Sequence, residues 1–262
     1  MRLATKRAPE GEAERPLLSA ETPAAPLAPK LPSALTPCAK VVVAPGADAR
    51  IDDLEDGNAN LLPLELRQGT WYVATDGTGT LNEPPVSHTP ATPDVPEYFG
   101  GPWHPTRLSR ARGQSRYALH TQGGKFTAWG VVASAQFVLE PGACYDASAY
   151  AGLEFWAKGR SRLAVSARMS DVTPVSIGGL CESACFKRHQ RQLELSPEWQ
   201  HYALAWSEFV QYVTPSTLAF DPKRLWGIDF VVEAGSTPFE LWLDDVNFLP
   251  RASATTRNAN ER

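Results

Sequence analysis

At 262 residues, 43% hydrophobic and 21% charged, the chain is long enough for one large domain or two small ones. A net charge of −4 with no basic stripe argues against a nucleic-acid partner and against anchoring on anionic lipid. No run of 18 apolar residues appears, so no helical membrane span is expected.

The first 49 residues contain no Phe, Trp or Tyr and are rich in Ala, Pro and mixed charge, as in Pro23-Ala24-Ala25-Pro26. Such a segment has too little apolar area to offset its ordering entropy, so residues 1–49 read as disordered or extended. Met1 to Arg7 leads into Pro and Glu with no apolar core behind it, so no signal peptide is visible. From residue 50 onward the pattern changes to strands. Leu163, Val165, Ala167 and Met169 alternate with Arg162, Ala164, Ser166 and Arg168, the period of two of a half-buried strand. Leu153–Lys158 and Gln200–Trp206 repeat it. Further strands are expected at Ile51–Glu55, Thr70–Thr75, Tyr117–Thr121, Trp129–Leu139, Arg191–Leu195, Leu225–Glu233 and Phe239–Phe248. Turn clusters such as Asp76-Gly77-Thr78-Gly79 and Gly123-Gly124 separate them, and the Pro-rich excursion Asn82–Pro105 reads as a surface loop. The best helical candidate is one short turn near Ser207–Gln211. Many strands without alternating helices predict an all-β domain over 50–250, a two-sheet antiparallel β-sandwich of the jelly-roll type. A polar tail, 251–262, is expected to be disordered.

Four cysteines, an even number, point to an oxidising compartment. Cys181 and Cys185, spaced C-x3-C, read as a local disulfide, with a metal site and free thiols as the alternatives. Whether Cys38 pairs with Cys144 stays open, because sequence does not fix connectivity. Catalytic signatures are missing: there is no G-x-S-x-G, H-E-x-x-H, P-loop or helix-opening G-x-G-x-x-G, and the five histidines show no paired spacing. The chain is not expected to be an enzyme.

Five segments occur in a suggestive order. The first is Ile51-Asp52-Asp53-Leu54-Glu55-Asp56-Gly57, followed by Tyr150 to Lys158 and by Ser196-Pro197-Glu198-Trp199 running on to Phe209. Phe220-Asp221-Pro222 through Phe230 and Leu243-Asp244-Asp245-Val246-Asn247-Phe248 complete the set. Together they resemble the galactose-binding-like jelly roll of family 11 carbohydrate-binding modules and of related bacterial surface lipoproteins, over about residues 50 to 249. The resemblance implies two antiparallel sheets, a structural calcium near the paired termini and β-glucan binding on one concave face.

Asp53 and Glu55 lie two apart on a strand and so share a face, and Asp245 sits in the terminal strand. Calcium needs several carboxylate and carbonyl oxygens, which two strands meeting at their ends could supply; the bland alternative is solvated strand ends. The placement at paired termini is wrong for a glycosidase acid–base pair. Sugars present apolar C–H faces that stack on aromatic rings while polar groups take the hydroxyls. Trp71, Tyr72 and Asp76, at the Asp76-Gly77 loop, and Trp129 after the Gly123-Gly124 turn are the leading binding candidates. His189, beside the Cys181–Cys185 loop, is another, and Gln211 with Tyr212 occupies the edge where the related modules hold ligand. Most large aromatics in a sandwich pack its core, and that reading stands beside each of these. The expected function is non-catalytic polysaccharide binding by a monomeric, secreted or cell-surface module. The alternative is a structural or adhesion protein that uses the sandwich as a protein-interaction scaffold.

Overall fold

The computed structural model of the chain describes residues 38–90, 98–183, 185–212, 218–235 and 237–251, all within one unit spanning Leu35–Arg262. Seventeen strands form among them. The first six are β1 (Val41–Val43), β2 (Arg50–Asp52), β3 (Trp71–Thr75), β4 (Thr80–Glu83), β5 (Ser87–Thr89) and β6 (Tyr98–Pro102). Next come β7 (Thr106–Arg112), β8 (Ser115–Gly124), β9 (Val131–Gln136), β10 (Cys144–Asp146), β11 (Tyr150–Gly159) and β12 (Arg162–Met169). The last five are β13 (His189–Glu194), β14 (Gln200–Ala205), β15 (Val210–Gln211), β16 (Leu225–Val232) and β17 (Phe239–Pro250).

They assemble into the two antiparallel sheets that the alternating pattern predicts. One runs β15-β13-β12-β16-β9-β3-β6-β5, with β10 on β16 and β1 parallel to β10; the other runs β14-β11-β17-β8-β4, with β2 on β17 and β7 on β8. Between them lies a single apolar core that includes Trp71, Trp103, Leu119, Phe155, Val165, Phe230, Leu243 and Phe248. Strand β12 covers Arg162–Met169 as its alternation requires. The expected helical turn is a 3-10 turn at Trp206–Glu208.

Two boundaries need correction. Residues 1–37 and 252–262 lie outside the described residues, but 38–49 do not conform to a disordered segment. Val41-Val42-Val43 pairs with β10, and Cys38 is bonded to Cys144 across 106 residues. Three consecutive valines are a strong strand former, diluted from view by the Pro/Ala composition around them. The Asn82–Pro105 stretch is likewise no plain loop. It holds β5 and β6, which extend the first sheet beyond β3, with Pro102 opposite Tyr72.

The first sheet is covered on both faces. Its inner residues enter the core, and its outer face carries a continuous cross-strand row: Pro102, Tyr72, Ser134, Asp229, Ser166 and Gln190. Ser134, Ser166, Asp229 and the neighbouring Arg168 are buried although they point away from the core. Something on the outer side therefore screens them from water.

Candidate functional site

Tyr72, Trp226 and Arg188 supply part of that screen, on an outer face that also carries a groove of about 840 Å³. Its floor comes from β3, β9, β12 and β16, and its lining is largely apolar: Tyr72, Pro102, Trp129, Val132, Phe186 and Trp226 among others. The second sheet carries a polar recess of about 70 Å³ beside Lys158 and Trp242, too small for a sugar ring.

Trp129 lines the groove, 49% exposed, on the loop that enters β9. That loop is fixed by Asp76, whose Oδ2 accepts the backbone N–H groups of Ala128 (3.1 Å), Trp129 (2.8 Å) and Gly130 (2.7 Å). The Thr78 hydroxyl accepts a fourth, from Thr127 at 2.8 Å. Burial pushes the Asp76 carboxyl up, but the Thr78 hydroxyl and the converging N–H groups together hold it below its ordinary range. Gly130 completes the turn with φ +92°, and a Cβ there would sit 2.2 Å from the Val232 carbonyl oxygen, so only glycine fits. Phe186 also lines the groove, 51% exposed, in the segment after β12 that hydrogen-bonds back to Val172 at 2.8 Å. The Cys181–Cys185 disulfide closes that segment.

Beneath the groove lies a charged cluster. The Arg168 guanidinium is 1% exposed and stacks 4.1 Å from the Trp226 ring centre. Its Nη2 donates to the Tyr72 hydroxyl (2.7 Å) and the Ser134 hydroxyl (2.8 Å) and lies 3.3 Å from Asp229 Oδ1. Ser134 in turn donates to Asp229 Oδ1 at 2.5 Å. Arg188 Nη1 approaches Asp229 Oδ2 to 3.0 Å, an ion pair off the hydrogen-bonding angle.

Of the seven residues expected to bind ligand, Tyr72 and Trp129 line this groove with reachable side chains. Trp71 does not: it borders the groove but its side chain is wholly buried in the core, because neighbours on a strand face opposite ways. Asp76 holds the Trp129 loop from behind. His189 shares its row with inward Ala167, packs 5.5 Å from Phe220 and is buried, which lowers its affinity for a proton. Gln211, whose amide donates to the Lys187 carbonyl at 2.6 Å, and the exposed Tyr212 lie outside the lining. The reading missed Phe186, Arg168, Arg188 and Trp226. Arg168 and Asp229 had a visible signal, being charged positions on the alternate face of otherwise apolar strands.

Each of the three carboxylates expected to hold calcium meets an arginine. Glu55 accepts the N–H groups of Arg116 and Tyr117 and pairs with the Arg116 side chain. Asp245 pairs with Arg112, and Asp53 lies 3.9 Å from Arg50. Among the described residues no group of three or more His, Cys, Asp or Glu side chains is arranged to hold a metal.

Comparison with known proteins gives one sequence match. The model of a family described as carbohydrate binding domain 30 matches residues 72–250. No curated protein matches the chain. Among solved structures, the family 11 carbohydrate-binding module of the cellulosomal cellulase Lic26A-Cel5E of Clostridium thermocellum is similar at 12% identity and a TM-score of 0.45. That alignment covers 78% of this chain and 95% of that one. The family 30 module of the cellulosomal cellulase Cel9D-Cel44B of the same organism gives 12% identity and a TM-score of 0.41, covering 68% and 93%.

Proposed function

Because the chain belongs to the carbohydrate binding domain 30 family, it is a carbohydrate-binding module rather than an enzyme, and we propose that it grips a polysaccharide chain along the groove between Trp129 and Phe186. The observation that carries this reading is the pair of half-exposed aromatic rings, Trp129 and Phe186, that line one apolar groove. Such rings can stack on sugar faces, while Tyr72 and Gln136 in the same lining offer hydrogen-bonding groups. A groove rather than a flat apolar patch is what separates this reading from a protein-interaction scaffold. We place the module outside the cytoplasm, since Cys38–Cys144 and Cys181–Cys185 suit an oxidising compartment. No helix among the described residues is long and apolar enough to cross a membrane.

Affinity electrophoresis against a panel of soluble polysaccharides tests the proposal. At least one polysaccharide should retard the protein, and Trp129→Ala should weaken that binding tenfold or more, a loss of about 1.4 kcal/mol. The melting temperature should hardly move, because the ring is half in water. Retardation by none of the panel, or full binding by the variant, would refute it. Asp76→Ala should weaken binding as well without touching ligand, by releasing the Trp129 loop.

The short disulfide gives a second expectation. Its cysteines are four positions apart in sequence, so it removes little chain entropy from the unfolded state. Replacing both Cys181 and Cys185 by Ser should therefore leave melting nearly unchanged yet reduce polysaccharide affinity, as the segment carrying Phe186 loosens. A large fall in melting temperature with intact binding would contradict this.

A further inference from the structure

We propose that the groove selects an acidic polysaccharide, whose uronic-acid carboxylates pair with Arg188 in the groove wall. The inference rests on the polysaccharide reading above and adds the class of sugar. Among the described residues, the charged side chains that line the groove are Arg168 and Arg188, and no carboxylate lines it. Among the described residues the anion that faces them is Asp229, fully buried beneath the floor and shared by both. Two cations and one anion leave the cluster one positive charge in excess, in a chain whose net charge is −4.

The two arginines are not equivalent. Arg168 is tied down by the Tyr72 and Ser134 hydroxyls, by Asp229 and by Trp226. Arg188 has 14% of its side chain exposed, and its contacts are the off-angle approach to Asp229 and a cation–π contact 4.8 Å from the Phe186 ring. Its Nε is buried without a hydrogen-bond partner, as is the Nε of Arg168. A buried charge without a full partner is costly, and a guanidinium satisfies it best with a carboxylate accepting in its fork. A ligand carboxylate entering between Phe186 and Tyr72 would cancel the excess charge. A neutral glycan offers only hydroxyls there and leaves the charge unmatched, which discriminates against it.

The test compares polysaccharides that share a backbone and differ in charge: polyglucuronate against soluble cello-oligosaccharides, and polygalacturonate and alginate each against its carboxyl-reduced form. At least one acidic member should bind the intact chain tenfold or more tighter than its neutral partner, with the preference shrinking as salt is raised. Arg188→Gln should erase the preference and Arg188→Lys should restore part of it, with Phe186→Ala weakening both members alike. Equal or tighter binding of the neutral member in every pair would overturn the inference and leave the groove a polysaccharide site. So would an undiminished preference in a folded Arg188→Gln protein. Binding of no member of any pair would overturn both readings.

Discussion

Replacing Trp71 by alanine is expected to lower the melting temperature by roughly 10–30 °C, whatever it does to ligand. The ring is fully buried, edge-on to Trp103 at 6.0 Å and tilted 6.2 Å from Phe230, so its removal empties the centre of the core. Trp→Ala in such a site costs about 3–5 kcal/mol. Its indole N–H also donates to Asp52 Oδ2 at 2.8 Å, and leaving that buried acceptor unpaired adds about 1–3 kcal/mol. Each kcal/mol moves the melting point of a domain of this size by about 2–4 °C. Calorimetry of Trp71→Ala beside Trp129→Ala makes the comparison. Equal melting temperatures for the two variants would mean that Trp71 is not the core residue its burial makes it.

That contrast also shows where the sequence could be read and where it could not. The alternation in β12 and β11 located both strands, and the same period separates Trp71, which shares its face with Val73, from Tyr72, which shares its face with Ala74. Treating the two as a pair beside a flexible loop ignored that geometry. The buried cluster was harder. Arg168 and Asp229 look like solvent-facing strand residues, and the groups packed on them, Tyr72, Trp226, Ser134 and Arg188, come from several segments of the chain. No local pattern announces a cluster assembled from separate strands and a loop. The partner of Cys38, 106 residues away, is a matter of global topology for the same reason. Asp53, Glu55 and Asp245 were legible as acids at the two strand ends, but not the arginines that meet each of them.

The second large effect is on pH dependence, and it centres on Asp52. Burial pushes this carboxyl up to about 7, against the N–H groups of Leu54 and the Trp71 indole, which favour its charged form. An unfolded aspartate titrates near 4. Between pH of about 4 and 7 the folded chain thus holds a proton that the unfolded chain has lost, and linkage makes stability fall as pH rises through that window. A shift of about three units corresponds to a few kcal/mol. Asp244, raised to about 6 mainly by burial and opposed by the Ser115 hydroxyl and Arg112, acts in the same direction. His120 and His189 act in the other: burial lowers both, so the stability they contribute is present above their ordinary value of 6.5 and is lost as pH falls below it. The wild-type curve sums these opposed contributions, so the informative quantity is a difference. Asp52→Asn cannot ionise, and the stability gap between wild type and this variant, from urea midpoints, should be a few kcal/mol smaller at pH 8 than at pH 5. An identical gap at both pH values would mean that Asp52 is ionised throughout. Its contact with the Trp71 indole would then be a charge-assisted hydrogen bond, with no proton held in the core.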